Sequence, residues 1–84
     1  MPMSQRHIEL RLPDLDVGHT IVTASSWHAA VGSRVIEGDR LLEVLAGEVT
    51  VDLAAPASGR LTQRCVEVDE RVVIGQRLAV IELL

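Results

Sequence analysis

The sequence predicts an all-β domain made of two similar halves, and three observations lead there. The apolar residues are almost all aliphatic, with no Phe or Tyr and Trp27 as the single aromatic. Such a composition suits short strands rich in β-branched residues. Apolar and polar residues alternate in several short runs, and one fifteen-residue pattern occurs twice. With 84 residues, one small domain is expected, able to bury only about 60% of the surface its unfolded chain exposes.

In chain order, residues 1–7 are expected to be a flexible N-terminal segment. "IELRLP" (8–13) alternates as a strand, and "HTIVTASSW" (19–27) is β-branched up to its closing tryptophan. "RLLEVLA" (40–46) could be read as helical in isolation. Gly38 before it and Gly47 after it leave too few residues for an independently stable helix, so a strand is expected. "EVLAGEVTVDL" (43–53) reads as a hairpin about Gly47-Glu48, with "VTVDL" (49–53) as its second arm. Gly18, Gly32, Gly59 and Gly75 fall between apolar runs, where turns are needed.

The repeat is the strongest signal. "VGSRVIEGDRLLEVL" (31–45) and "VDERVVIGQRLAVIE" (68–82) align at a constant offset, with Val31/Val68, Arg34/Arg71, Val35/Val72, Gly38/Gly75, Arg40/Arg77 and Leu41/Leu78 identical. Each copy reads as a valine-led turn, a short strand, a glycine turn and a longer strand. Two such copies imply pseudo-twofold symmetry, each half covering the apolar face of the other.

Composition also narrows function. A net charge of −4 without a basic cluster or stacking aromatics argues against nucleic-acid binding. No run approaches the length of a membrane span, and "MPMSQRH" has no secretory pattern. A cytoplasmic location is the expectation, and the single Cys65 fits a reducing compartment. All eight basic side chains are arginines. Chemistry that needs a side-chain amine therefore has no acceptor among these residues.

"VGSRVIEGDRLLEV" followed by "VTVDLAAPASGRLTQRCVEVDERVVIGQRLAVIE" resembles the lipoyl/biotinyl carrier-domain family. Trp27, Gly32, Val35, Gly38, Leu41 and Val44 match the pattern of its first half, and Pro56, Gly59, Val72, Gly75, Leu78 and Ile81 match the rest. "LPDL" (12–15) is similar to the opening strand of lipoyl domains, and the resemblance covers 8–84. It implies a flattened β-barrel or sandwich of two small antiparallel sheets with pseudo-twofold symmetry, the barrel-sandwich hybrid. Two turn positions depart from the pattern: Ser33 stands for an aspartate and Asp69 for a glycine.

A third departure bears on function. The family hairpin carries Asp-Lys at its turn, and with Glu43-Val44 and Thr50-Val51-Asp52 holding the register, that pair falls on Gly47-Glu48. The resemblance thus places Glu48 at the position of the modified lysine. A carboxylate cannot attack an acyl-adenylate to give the amide that holds lipoate or biotin, so no cofactor is expected. Gly47 tolerates positive φ and preserves the turn.

Three roles are open to Glu48: a plain solvated turn residue, part of a docking epitope with Glu43 and Asp52 for a basic protein surface, or itself an attachment point. The favoured reading is a non-acylated lipoyl-like interaction module related to the carrier domains of 2-oxo acid dehydrogenase acyltransferases. An acyl or group carrier attached through Glu48 or Cys65 stands beside it, as does an engineered lysine-to-glutamate change. Membrane-fusion adaptors contain lipoyl-like halves without the lysine, but a long helical hairpin separates those halves.

The remaining candidates carry less. His7, His19 and His28 lack ligand spacing, so no metal site is expected. Cys65 is expected in a second-half strand as a small buried hydrophobe, equivalent to His28 by the repeat. Trp27 is expected to pack between the halves. Asp14, Asp16, Glu37 and Asp39 read as solvated turn or edge carboxylates. With no nucleophile–base pair and no phosphate-binding glycine loop, the chain is not expected to be an enzyme.

Overall fold

A computed structural model describes residues 6–84. They form eight strands: β1 (His7–Arg11), β2 (Val22–Trp27), β3 (Arg34–Val35), β4 (Arg40–Ala46), β5 (Val49–Ala54), β6 (Gly59–Arg64), β7 (Arg71–Val72) and β8 (Arg77–Glu82). One four-stranded sheet has the order β1-β8-β6-β3 and the other β5-β4-β2-β7, with every pairing antiparallel. The two sheets face each other as a flattened sandwich.

The symmetry reaches beyond the fifteen residues that reveal it in sequence. Shifting β2, β3 and β4 by the repeat offset gives β6, β7 and β8, and β1 holds the edge of one sheet as β5 holds that of the other. The halves interlock, because β3 pairs with β6 and β7 with β2. Their joints match bond for bond: Gly32 N and Leu61 N donate to Leu61 O and Ser33 O, as Asp69 N and Ala24 N donate to Ala24 O and Glu70 O. Neither half could satisfy its short strand alone.

β4 and β8 bury more than one side chain in two: Leu41, Leu42, Val44 and Ala46 of β4, and the consecutive Leu78, Ala79, Val80 and Ile81 of β8. Leu41, Leu42, Val44, Leu61, Leu78 and Ile81 are fully buried, and the described residues include no buried polar or charged side chain. Each such burial contributes about 1.5–3 kcal/mol, so an aliphatic core holds the domain without aromatic filling. Trp27 ends β2 and packs against this core as a half-buried residue, its Nε1 donating to Val66 O of the second half at 3.1 Å.

Several boundaries differ from the sequence expectation. Of the flexible segment expected over 1–7, residues 1–5 lie outside the described residues, whereas His7 pairs with Glu82 and Leu83 N donates to Arg6 O. β1 ends at Arg11, since Leu12 leaves the ladder to bond Gln76 and Gly75 across the sheet. β2 starts only at Val22, leaving His19–Ile21 in a loop. Cys65 is a correction in both respects: it follows β6 rather than lying in it, and it is half-buried. Its amide bonds Leu78 O as that of His28 bonds Leu41 O, so the backbone position is equivalent but opens to the surface.

The glycines show why the turns hold. Gly38 and Gly75 adopt φ of 92° and 85°, and Gly32 adopts 94°. Asp69, equivalent to Gly32, takes φ 75°, a region where an L side chain is disfavoured. Gly59 serves another purpose: a Cβ there would run into the main-chain carbonyl of Glu82, so β6 and β8 approach each other only because that side chain is absent.

Candidate functional site

The hairpin of β4 and β5 forms one end of the second sheet. Ala46 and Val49 pair directly and leave Gly47-Glu48 as a two-residue loop. Gly47 has φ 64°, and Glu48 is not among the described residues with positive φ. Glycine first and an ordinary residue second is the sequence requirement of a type II′ turn. The right-handed twist of the arms thus carries Glu48 outward into solvent, where it is exposed and belongs to no ion pair among the described residues.

The tip rests on the loop before β2. A Cβ on Gly47 would meet Thr20 Cγ2 at 3.3 Å, so loop and turn are in near contact. Beneath them an apolar cavity of about 380 Å³ is lined by Leu12, Leu15, Val17, Val22, Val72 and other residues of this loop and β7. Ile21, next to Thr20 in this loop, and Val49, next to Glu48 in the hairpin, are both exposed. The sequence gives no hint of Thr20, because its approach depends on a loop without periodicity.

Glu43 and Asp52 are direct cross-strand partners on the outer face, about four residues or ~13 Å along the arms from Glu48. The structure therefore brings Glu43 and Asp52 together and leaves Glu48 apart from both. Two carboxylates directly opposite repel, and each has a local partner. Ser25 Oγ donates to Glu43 Oε2 at 2.9 Å. Asp52 Oδ1 lies 3.0 Å from His28 Nε2, and Asp52 Oδ2 lies 3.5 Å from Arg40 Nη1. The His28 hydrogen bond, with the charges of His28 and Arg40 behind it, holds the Asp52 carboxyl below the usual carboxylate range despite some burial. A β2 bulge between Ala24 and Ser26 shifts the register toward His28, which is why spacing alone does not reveal this cluster.

The same ion pair recurs in the other half. Glu9, opposite Val80 as Asp52 is opposite Glu43, accepts from Arg77 Nη1 at 3.4 Å and from Arg11 Nη2 at 2.6 Å. Its carboxyl is likewise lowered, by the Arg11 hydrogen bond first and then by Arg77, against some desolvation.

The other predicted residues are dispersed. His7 lies in β1, His19 lines the tip cavity, and Cys65 Sγ is 4.0 Å from Gln63 Oε1. Among the described residues, no three His, Cys, Asp or Glu side chains converge as a metal-ligand set. Asp14 and Asp39 cap their own turns, accepting from Asp16 N and Ile36 N. No helix among the described residues is long and apolar enough to cross a membrane.

Two interlocked β-halves around a hairpin with an exposed two-residue tip define the class of biotinyl and lipoyl domains. The family described as "Biotin-requiring enzyme" matches residues 8–81, and the chain belongs to that family. It is 30% identical over 79 residues to the dihydrolipoyllysine-residue acetyltransferase component of the acetoin cleaving system of Pseudomonas putida, covering 94% of this chain and 21% of that protein. It is 35% identical over 52 residues to the lipoamide acyltransferase component of the branched-chain alpha-keto acid dehydrogenase complex of Pseudomonas aeruginosa, covering 62% of this chain and 12% of that protein. The chain thus spans about a fifth or less of these relatives.

Among solved structures, the lipoyl domain of the 2-oxoglutarate dehydrogenase complex from Azotobacter vinelandii superposes with a TM-score of 0.70 at 19% identity, over 86% of this chain and 91% of that one. A single-chain, multi-domain long-chain acyl-CoA carboxylase superposes with a TM-score of 0.77 at 21% identity, over 100% of this chain and 8% of that one. At these identities the two structures share the fold.

Proposed function

We propose that this chain is a lipoyl-like domain that carries no acyl arm and acts as a protein-docking module through its hairpin tip. The observation that supports this most is Glu48, the exposed second residue of an ordered two-residue turn at the place where the family pattern has its modified lysine. No lysine occurs among the 84 residues. Lipoate and biotin do not fit such a tip: the link needs a nucleophilic amine, and a carboxylate supplies none. What the tip retains is geometry, a projecting anionic side chain next to exposed Val49, with exposed Ile21 next to Thr20 in the adjoining loop.

The relatives are acyltransferase components of multienzyme complexes. For this chain the partner class is accordingly a protein of a 2-oxo acid dehydrogenase type assembly, with a basic group opposite Glu48. Exposed charge of this kind governs encounter rate and specificity more than affinity. The test is an NMR titration of the domain with the dehydrogenase component of such an assembly. Amide shifts should concentrate at residues 46–50, and Glu48→Arg should slow association and weaken binding measurably, by an amount that shrinks as salt is added. Shifts that avoid the tip, or an indifferent Glu48→Arg variant, would count against this function.

A further inference from the structure

The pseudo-symmetry exposes one place where the halves differ in chemistry rather than in backbone. A polar groove of about 650 Å³ is lined by His28, Ala29, Ala30, Ser33, Arg34 and Val35, and closed by Asp39 and Arg40. It lies between the end of β2 and the starts of β3 and β4, well away from the hairpin tip. The equivalent positions in the second half repeat both arginines, as Arg71 and Arg77, but place Glu67 and Glu70 where the first half has Ala30 and Ser33, and Cys65 where it has His28. The first-half groove therefore has smaller walls and lacks the two carboxylates of the second-half surface, while it carries Asp39 where the second half has the neutral Gln76.

The charges inside the groove are unequally committed. Asp39 Oδ2 accepts from the Ile36 amide, and the Asp52 carboxylate beside the groove is shared between His28 and Arg40. Arg34 makes no side-chain hydrogen bond or ion pair among the described residues. It also stands directly opposite Arg60 across the β3–β6 ladder, and like charges in that position repel. Arg60 turns to the Gly32 carbonyl at 2.9 Å, which leaves the Arg34 guanidinium unpaired at the groove. A guanidinium presents a planar fork of donors suited to phosphate oxygens.

We propose that this groove is a binding site for a small-molecule phosphate monoester, with Arg34 as its principal contact, the guanidinium N–H groups of Arg40 that do not face Asp52 as flanking donors, and room beside the phosphate for an organic group. The anion would also relieve the Arg34–Arg60 repulsion. The site is independent of the docking reading of the hairpin, since none of its residues lies at the tip.

The test uses inorganic phosphate as the probe, with chloride at matched ionic strength as the reference, followed by amide shifts of the full chain. Phosphate should give saturable shifts centred on residues 28–40 that chloride does not reproduce. Arg34→Gln should weaken them at least tenfold, while Arg71→Gln, the same substitution at the equivalent position of the other half, should leave them unchanged. Both side chains are exposed, and thermal melts of the two variants will show whether each remains folded. Equal responses to phosphate and chloride would overturn the proposal, as would equal effects of the two substitutions or none from Arg34→Gln.

Discussion

Trp27 and Arg64 occupy equivalent positions in the two halves and lie against each other, the guanidinium 5.5 Å from the indole centroid. Each reaches into the other half for an equivalent carbonyl: Trp27 Nε1 donates to Val66 O at 3.1 Å and Arg64 Nη1 to Ala29 O at 3.4 Å. A residue in contact with its own symmetry mate marks the pseudo-twofold axis, so this pair fastens the halves where the interlocked strands cross. Trp27→Phe keeps the apolar body but leaves Val66 O without its donor, and should cost about 1 kcal/mol. Arg64→Gln should cost less, about 0.5–1 kcal/mol, because that cation is exposed. Urea unfolding of the two variants measures both.

Asp69 holds at φ 75° the turn that Gly32 holds at 94°. Asp69→Gly should raise stability by about 0.5–1 kcal/mol, and Gly32→Ala should lower it by about 1–2 kcal/mol. No atom lies within 4 Å of a Cβ built on Gly32, so the loss would be conformational rather than steric. The two variants should move the denaturation midpoint in opposite directions at an unchanged slope.

Gly59→Ala tests the opposite cause. Its Cβ would strike the Glu82 carbonyl and lie 2.9 Å from Ile81 Cγ2, and main chain cannot swing aside as a side chain can. A loss of about 3 kcal/mol is expected, at the upper end for overpacking, with the β6–β8 amides losing hydrogen-exchange protection first.

Acid should weaken the domain through Asp52 and Glu9, whose carboxyls are both held below their ordinary range. A group with a depressed folded value adds stability that is present above its unfolded value and disappears as pH falls through the folded one. Stability should therefore be level down to about pH 4.5 and decline below it. Asp52→Asn should flatten part of that decline, and added salt should shrink it, since both pairs are largely exposed. Thermal melts from pH 3 to 6 follow the effect.

Much of this was legible in the chain. The repeat placed β3, β4, β7 and β8, and Gly38 and Gly47 correctly marked 40–46 as a strand too short to be a helix. The hairpin register placed Glu43 opposite Asp52. What stayed hidden depends on through-space contacts. The equivalence of β2 with β6 has little sequence identity, because Ala24 and Leu61, or Trp27 and Arg64, fill the same position with different side chains. The His28–Asp52–Arg40 cluster follows from a bulge, and the contact of Thr20 with the turn follows from an irregular loop. The expectation of a buried Cys65 failed because β6 ends one residue earlier.

The most direct test of the central claim is the intact mass of the protein after co-expression with a lipoate ligase and a biotin ligase. The wild-type chain should keep its bare polypeptide mass, and Glu48→Lys should gain one lipoyl or biotinyl group while remaining within about 0.5 kcal/mol of wild-type stability, as befits an exposed turn position. A lipoyl or biotinyl mass on the wild-type chain would contradict the account, and an unmodified Glu48→Lys variant would contradict the placement of Glu48 at the attachment position.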